Sequence, residues 1–120
     1  MAEVSIIIPT NNSERYITKL SSSILSQTYQ NFEVIIVDNN SKDNTISKLK
    51  RENNFDSRFK YFKIDNKGVI AKSRNFGVRN ASGKYIAFLD SDDYWHEDKL
   101  TNSLKYFPEY DFVYHLMKIK

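Results

Sequence analysis

Short runs of β-branched and aromatic residues alternate along this chain with longer stretches whose apolar positions recur every three or four residues. Val4 to Ile8 is a β-branched run stopped by Pro9, the pattern of a strand buried on both faces. Ile17, Leu20 and Ile24 then fall at helical spacing between Tyr16 and Gln27, and Asn11, Asn12 and Ser13 stand where they would cap that helix. Phe32 to Val37 predicts a second strand, ended by the turn and cap formers Asp38 to Asn44. Ile46 and Leu49 mark a short helix, Tyr61 to Ile64 a third strand, and Ile70, Phe76 and Val78 a further helix that Gly77 weakens. Asn80 to Gly83 closes that helix before a fourth strand, Tyr85 to Leu89, with Asp90-Ser91-Asp92-Asp93 directly after it. Leu100, Leu104 and Phe107 give a last helical face ended by Pro108, and Phe112 to Met117 a fifth strand.

Strands and helices alternating at this spacing predict an α/β fold, a mostly parallel sheet with helices on both faces, in one domain over residues 1–120. Ligands of such sheets bind at the carboxyl ends of the strands, where the strand order reverses. Pro9 to Asn12, Asp38 to Asn40 and Asp90 to Asp93 all leave strands at that end, so three sequence-distant polar clusters are expected on one rim.

The chain has 120 residues, no cysteine and a net charge of +3. The missing thiols exclude a disulfide scaffold, a thiolate metal site and a cysteine nucleophile. Basic and acidic residues are interleaved, as in Lys42-Asp43 and Arg51-Glu52, which argues against a nucleic-acid surface. The longest apolar runs are far below the ~20 residues that span a bilayer, and the N-terminus lacks a basic leader. A cytoplasmic protein is expected, with peripheral placement at the cytoplasmic membrane face compatible.

Three carboxylates within four residues repel one another unless a cation neutralises them. Hard oxygen ligands favour Mg²⁺, Mn²⁺ or Ca²⁺, held by one or two carboxylates with water or phosphate completing the shell. An Asp-x-Asp alone is a weak signal in an aspartate-rich chain; its place after an apolar strand gives it weight. Asp38 suits either a ligand-reading acid or a helix cap, and Arg74 either a diphosphate or a surface acid. Tyr94 and Trp95 suit a pocket wall or core lining. His96 and His115 have no third partner at metal-ligand spacing and read as structural.

The segments Val4 to Asn12, Ser22 to Glu33, Val37-Asp38, Ser73-Arg74-Asn75, Gly83 to Ile86 and Asp90-Ser91-Asp92 occur in an order that resembles the N-terminal, nucleotide-sugar-binding half of GT-A glycosyltransferases of family 2. The resemblance implies a Rossmann-like GT-A fold and a nucleoside diphosphate sugar, expected to be a UDP-sugar, whose sugar passes to an acceptor hydroxyl with inversion. It implies nucleotide contacts from Pro9, Thr10, Asn11, Asp38, Asn39, Arg74, Asp90 and Ser91. Asp92, with Asp90, would bind a Mn²⁺ or Mg²⁺ ion that stabilises the departing diphosphate. Two positions depart from the pattern: Asn11 stands where the family usually has Tyr, and Asn39 where it has a second Asp, which puts uridine selectivity in question. The family's domain also continues for about a hundred residues that bind a carbohydrate, lipid-linked or protein acceptor and supply the general base. A donor half is therefore expected, inactive alone, with no catalytic base of its own and with apolar surface that favours self-association.

Other readings fit less well. A receiver-type signalling domain needs acids after the first strand, where Pro9 to Asn12 carries none. Gly68, Gly77 and Gly83 are too sparse for a dinucleotide or P-loop site or for the glycine-rich loop of a nucleotide-sugar pyrophosphorylase. A nucleotide- and metal-binding module without transfer activity remains the alternative.

Overall fold

The computed structural model describes residues 2–105 and, further on, the strand backbone at 112–113 and 116–118. Its elements are β1 (Val4–Thr10), a 3-10 turn (Glu14–Tyr16), α1 (Ile17–Leu25), β2 (Phe32–Asn39), α2 (Thr45–Glu52), β3 (Phe59–Ile64), α3 (Ile70–Arg79), β4 (Tyr85–Phe88), α4 (Lys99–Leu104), β5 (Phe112–Val113) and β6 (Leu116–Lys118). They form one six-stranded sheet in the order β3-β2-β1-β4-β6-β5. The first four strands are mutually parallel, and β6 runs antiparallel to both β4 and β5. This order separates the fold from the 2-1-3-4-5 arrangement of receiver domains.

Several boundaries differ from the expectation: β3 begins at Phe59, two residues before Tyr61, and β4 ends at Phe88, one before Leu89, while the larger differences follow from strand pairing. Pro9 does not stop β1: Pro9 pairs with Val37 and Thr10 with Asp38, so both strands run on into what reads as loop. Tyr85 N–H donates to Glu3 O and Leu89 N–H to Ile7 O, so odd-numbered residues of β1 turn their backbone groups toward β4. Pro9 therefore faces the side where β4 has just ended, and its missing N–H removes no ladder bond. The fifth strand is two short ones, β5 and β6, because only two residues separate segments that pair antiparallel. Phe107, Pro108 and His115 lie outside the described residues.

The apolar runs of β1 and β2, each interrupted by one polar residue (Ser5 and Glu33), are buried on both faces. On one face Val4, Ile6, Ile8, Val34 and Ile36 pack with Ile17, Leu20 and Ile24 of α1 and Leu49 of α2. On the other Ile7, Ile35, Val37 and Ile86 meet Phe76 of α3. Gly77 lowers the helix propensity of α3 but lets it approach β1, since a Cβ there would stand 2.5 Å from Ile7 Cγ2. At the outer end of the sheet order β3 carries Lys60 and Lys63, both exposed.

At the amino end of the sheet a buried carboxylate ties three segments together. Glu33 accepts hydrogen bonds from Ser5 Oγ, from Ser82 N–H (2.7 Å) and Oγ (2.9 Å), and from Lys60 Nζ (2.6 Å). Burial pushes its pKa up, but the Lys60 ammonium and these donors outweigh that and hold it at about 2. A carboxylate lowered in the folded state stabilises the fold above its unfolded pKa and loses that contribution as pH falls toward 2. Denaturant unfolding should show about 2 kcal/mol of stability lost between pH 5 and 2, with a flatter profile in Glu33→Gln; parallel profiles for the two proteins would refute this role.

Candidate functional site

The carboxyl ends of β1 and β2 are bracketed by one side-chain pair. The register sets Thr10 beside Asp38, and Thr10 Oγ1 donates to Asp38 Oδ1 at 2.7 Å with both residues buried. Asp38 also accepts from Ser41 N–H (3.0 Å) and Ser41 Oγ (2.6 Å), so it closes the turn after β2 and caps no helix. The carboxylate at the start of α2 is instead Asp43, which precedes the helix and accepts from the N–H and Oγ1 of its first residue, Thr45. The Thr45 hydroxyl is the main cause of its lowered pKa.

Asn11, Asn12 and Ser13 do not cap α1, which begins without a side-chain cap after the 3-10 turn. They reach across to the β2 exit instead. Asn11 Nδ2 donates to Asn39 O, Asn12 Oδ1 accepts from Lys42 N–H (2.7 Å), Asn12 N–H donates to Ser41 Oγ (2.9 Å), and Ser13 N–H donates to Thr45 Oγ1 (2.9 Å). Asn12 and Asn40 both sit at positive φ (50° and 49°), where asparagine is the most tolerant residue after glycine.

Between β1 and β4 the strand order reverses, and the acidic turn lies at this split. Ser91 Oγ is 2.6 Å from Ser13 Oγ, joining the β4 exit to the β1 exit. Arg74 on α3 donates to Asp90 Oδ1 at 3.1 Å. Asn39 Oδ1 accepts Asn66 N–H (3.0 Å), and Asn66 Nδ2 donates to Ser73 Oγ (3.0 Å), the neighbour of Arg74. The rim is thereby linked around from β2 through the β3 exit and α3 to β4 and back to β1. Gln27, 2% exposed, fixes the segment beyond the acids: its Nε2 donates to His96 O (2.8 Å) and its Oε1 accepts Leu100 N–H (3.1 Å).

Two hollows open on this rim. The larger, about 630 Å³, is lined by Arg74, Leu89, Asp90, Asp93, Tyr94 and Trp95 among others, so the two aromatics do wall a cavity, with Trp95 also packed on the core. The second, about 420 Å³, lies over Asp38, Ser41 and Lys63. Arg74 and Asp90 thus share a hollow that Asp38 does not line. Asp92 is exposed and has no hydrogen-bond or ion-pair partner among the described residues. No group of three His, Cys, Asp or Glu there is placed to hold a metal. Asp90 and Asp92 stand two positions apart in one turn, Asp90 lining the larger hollow and Asp92 exposed outside its lining; such carboxylates suit a hard cation whose remaining positions come from phosphate or water. Of the other residues that build this rim, Ser13 reads in the sequence as a helix cap, Gln27 and Ser73 only as members of longer segments, and Asn66 does not stand out, because serine, asparagine and glutamine serve equally as surface and cap residues.

The geometry agrees with what the chain is similar to. The model of "Glycosyl transferase family 2" matches residues 5–119. The chain belongs to this family. This family 2 chain is 44% identical over 112 residues to an uncharacterized glycosyltransferase of Rickettsia conorii, covering 93% of the chain and 18% of the relative. It is 44% identical over 97 residues, 81% of its length and 38% of the relative's, to the Escherichia coli enzyme WfgD, named a UDP-Glc:α-D-GlcNAc-diphosphoundecaprenol β-1,3-glucosyltransferase. The chain therefore spans less than half the length of these curated relatives. Among solved structures, S. aureus TarS residues 1–349 in complex with UDP-GlcNAc matches with TM-score 0.81 and 34% identity over 89% of this chain and 31% of that one. The Pyrobaculum calidifontis mannosyltransferase PcManGT with GDP-Man and Mn²⁺ matches with TM-score 0.79 and 28% identity, over 88% and 32%. These likenesses give the family 2 chain its GT-A architecture.

The two aspartates at the rim should separate by their effect on folding. Asp38→Ala, which strands three donors, is expected to cost about 2 kcal/mol in urea unfolding, and Asp92→Ala less than about 0.5 kcal/mol. Equal losses would mean that Asp38 is not the bracket described here.

Proposed function

We propose that this chain is the donor-binding part of a glycosyltransferase that moves a sugar from a nucleoside diphosphate sugar, with a UDP-sugar as the expected donor, to an acceptor hydroxyl with inversion. The observation that carries the reading is the meeting of the Arg74–Asp90 pair and the Ser91-Asp92 turn at the split between β1 and β4. Pro9, Thr10, Asn11, Asp38 and Asn39 form the nucleoside side of the rim. There Thr10, Asp38 and Asn39 keep the two strand exits in register while Asn11 stays exposed to a ligand. Arg74, tied to the turn by one N–H, has further guanidinium donors for a diphosphate. Asp92, with Asp90, would hold a Mn²⁺ or Mg²⁺ ion, which when bound neutralises charge on the leaving diphosphate. The UDP-GlcNAc complex of TarS and the donor named for WfgD support uridine as the base; the GDP-Man complex of PcManGT supports testing guanosine beside it.

The acceptor side and the general base are assigned to sequence that the longer relatives have outside the matched region. WfgD's named lipid diphosphate acceptor supports a lipid-linked substrate, and none of the helices among the described residues is long and apolar enough to cross a membrane. Calorimetry with UDP, GDP and dTDP, each with and without Mn²⁺, tests the donor site. UDP affinity should rise with Mn²⁺, and Asp92→Ala should weaken the Mn²⁺-dependent part by at least about tenfold. Binding that ignores both the metal and Asp92 would sink the proposal.

A further inference from the structure

Ser13 and Ser91 stand 78 positions apart in sequence, yet their hydroxyl oxygens are 2.6 Å apart. Ser13 is 4% exposed and held from several sides: its N–H donates to Thr45 Oγ1 (2.9 Å), its Oγ lies 3.3 Å from Asn11 O, and its carbonyl accepts Tyr16 N–H (2.9 Å). Ser91, by contrast, sits in an exposed turn closed by Asp93 N–H to Asp90 O (3.0 Å). Among the described residues the other side-chain tie of that turn to the body of the protein is Arg74–Asp90, with both side chains well exposed (38% and 54%), a kind of pair that contributes little rigidity.

We propose that Ser13 is a positioning residue, which through the hydroxyl bridge to Ser91 fixes the acidic turn so that Asp90 and Asp92 together receive the metal-bound diphosphate of the donor. Ser91 lies between the two acids, so anchoring it restrains both carboxylates at once. In this arrangement Ser91 acts through its bridge to Ser13, with the donor contacts left to its neighbours. The inference rests on the donor-site reading above, but its mechanical half concerns only the turn.

The test combines calorimetry and amide hydrogen exchange on Ser13→Ala, Ser91→Ala, the double variant and Ser91→Thr. Affinity for UDP with Mn²⁺ should fall about tenfold in either alanine variant, as for residues that orient metal ligands, and no further in the double variant. Metal-free UDP binding should stay within about twofold of wild type, and Ser91→Thr, which keeps the hydroxyl, should retain near wild-type affinity. Exchange at residues 91–93 should quicken in Ser13→Ala while α1 and β1 keep their protection. Loss in Ser91→Ala with none in Ser13→Ala would put Ser91 on the ligand and overturn the proposal, as would losses that multiply in the double variant. Should wild type bind no nucleotide, the donor reading fails by itself. The exchange measurement then decides the latch, and unchanged exchange in Ser13→Ala overturns it.

Discussion

The buried hydrogen bond from Thr10 to Asp38 sets the shape of the rim, because it carries β1 and β2 past the point where their apolar runs end. A carboxylate 1% exposed must be satisfied, and here three donors from two segments do so. That requirement fixes the turn at Ser41, and the turn in turn receives Asn12 and positions Thr45 for Ser13. The contacts that join the β1 and β2 exits inherit their place from this one, so that part of the site is an extension of the sheet ladder, while Arg74 and Asp90 reach the rim from α3 and the β4 exit.

The core makes such a rim possible by keeping β1 immobile. With apolar side chains packed on both faces and parallel partners on both edges, β1 has little freedom to shift, and Gly77 lets α3 settle directly onto Ile7. Arg74 therefore stands on a helix whose distance from the sheet is set by a missing side chain three residues away. The network around Glu33 does the same at the opposite end of the strands, where Ser5, Lys60 and Ser82 converge.

Much of this was legible in the sequence, and the remainder was hidden for identifiable reasons. The runs Val4 to Ile8 and Phe32 to Val37 announced doubly buried parallel strands, and the positions of Asp38 and Asp90 to Asp93 announced a rim of acids, since period and strand end are properties of local sequence. The continuation of the strands through Pro9 and Asp38 was not legible, because it depends on which edge Pro9 presents to β4 and on a partner 28 residues away. Ser13 reads as a helix cap for the same reason: a hydroxyl offers no hint of whether it turns to its own helix or to Ser91. The division of the rim into two hollows likewise comes from packing across elements, with Tyr94 and Trp95 on one side and Lys63 on the other.

The lysines of β3 bear on how copies of this protein meet one another. β3 ends the sheet order on its side, with open backbone groups that invite another strand; Lys60 there is neutralised by Glu33, and the exposed Lys63 is the lysine of β3 left without an ion pair among the described residues. A second copy aligning its own β3 there would have to accommodate that unpaired ammonium group beside its own, which works against end-to-end growth of the sheet.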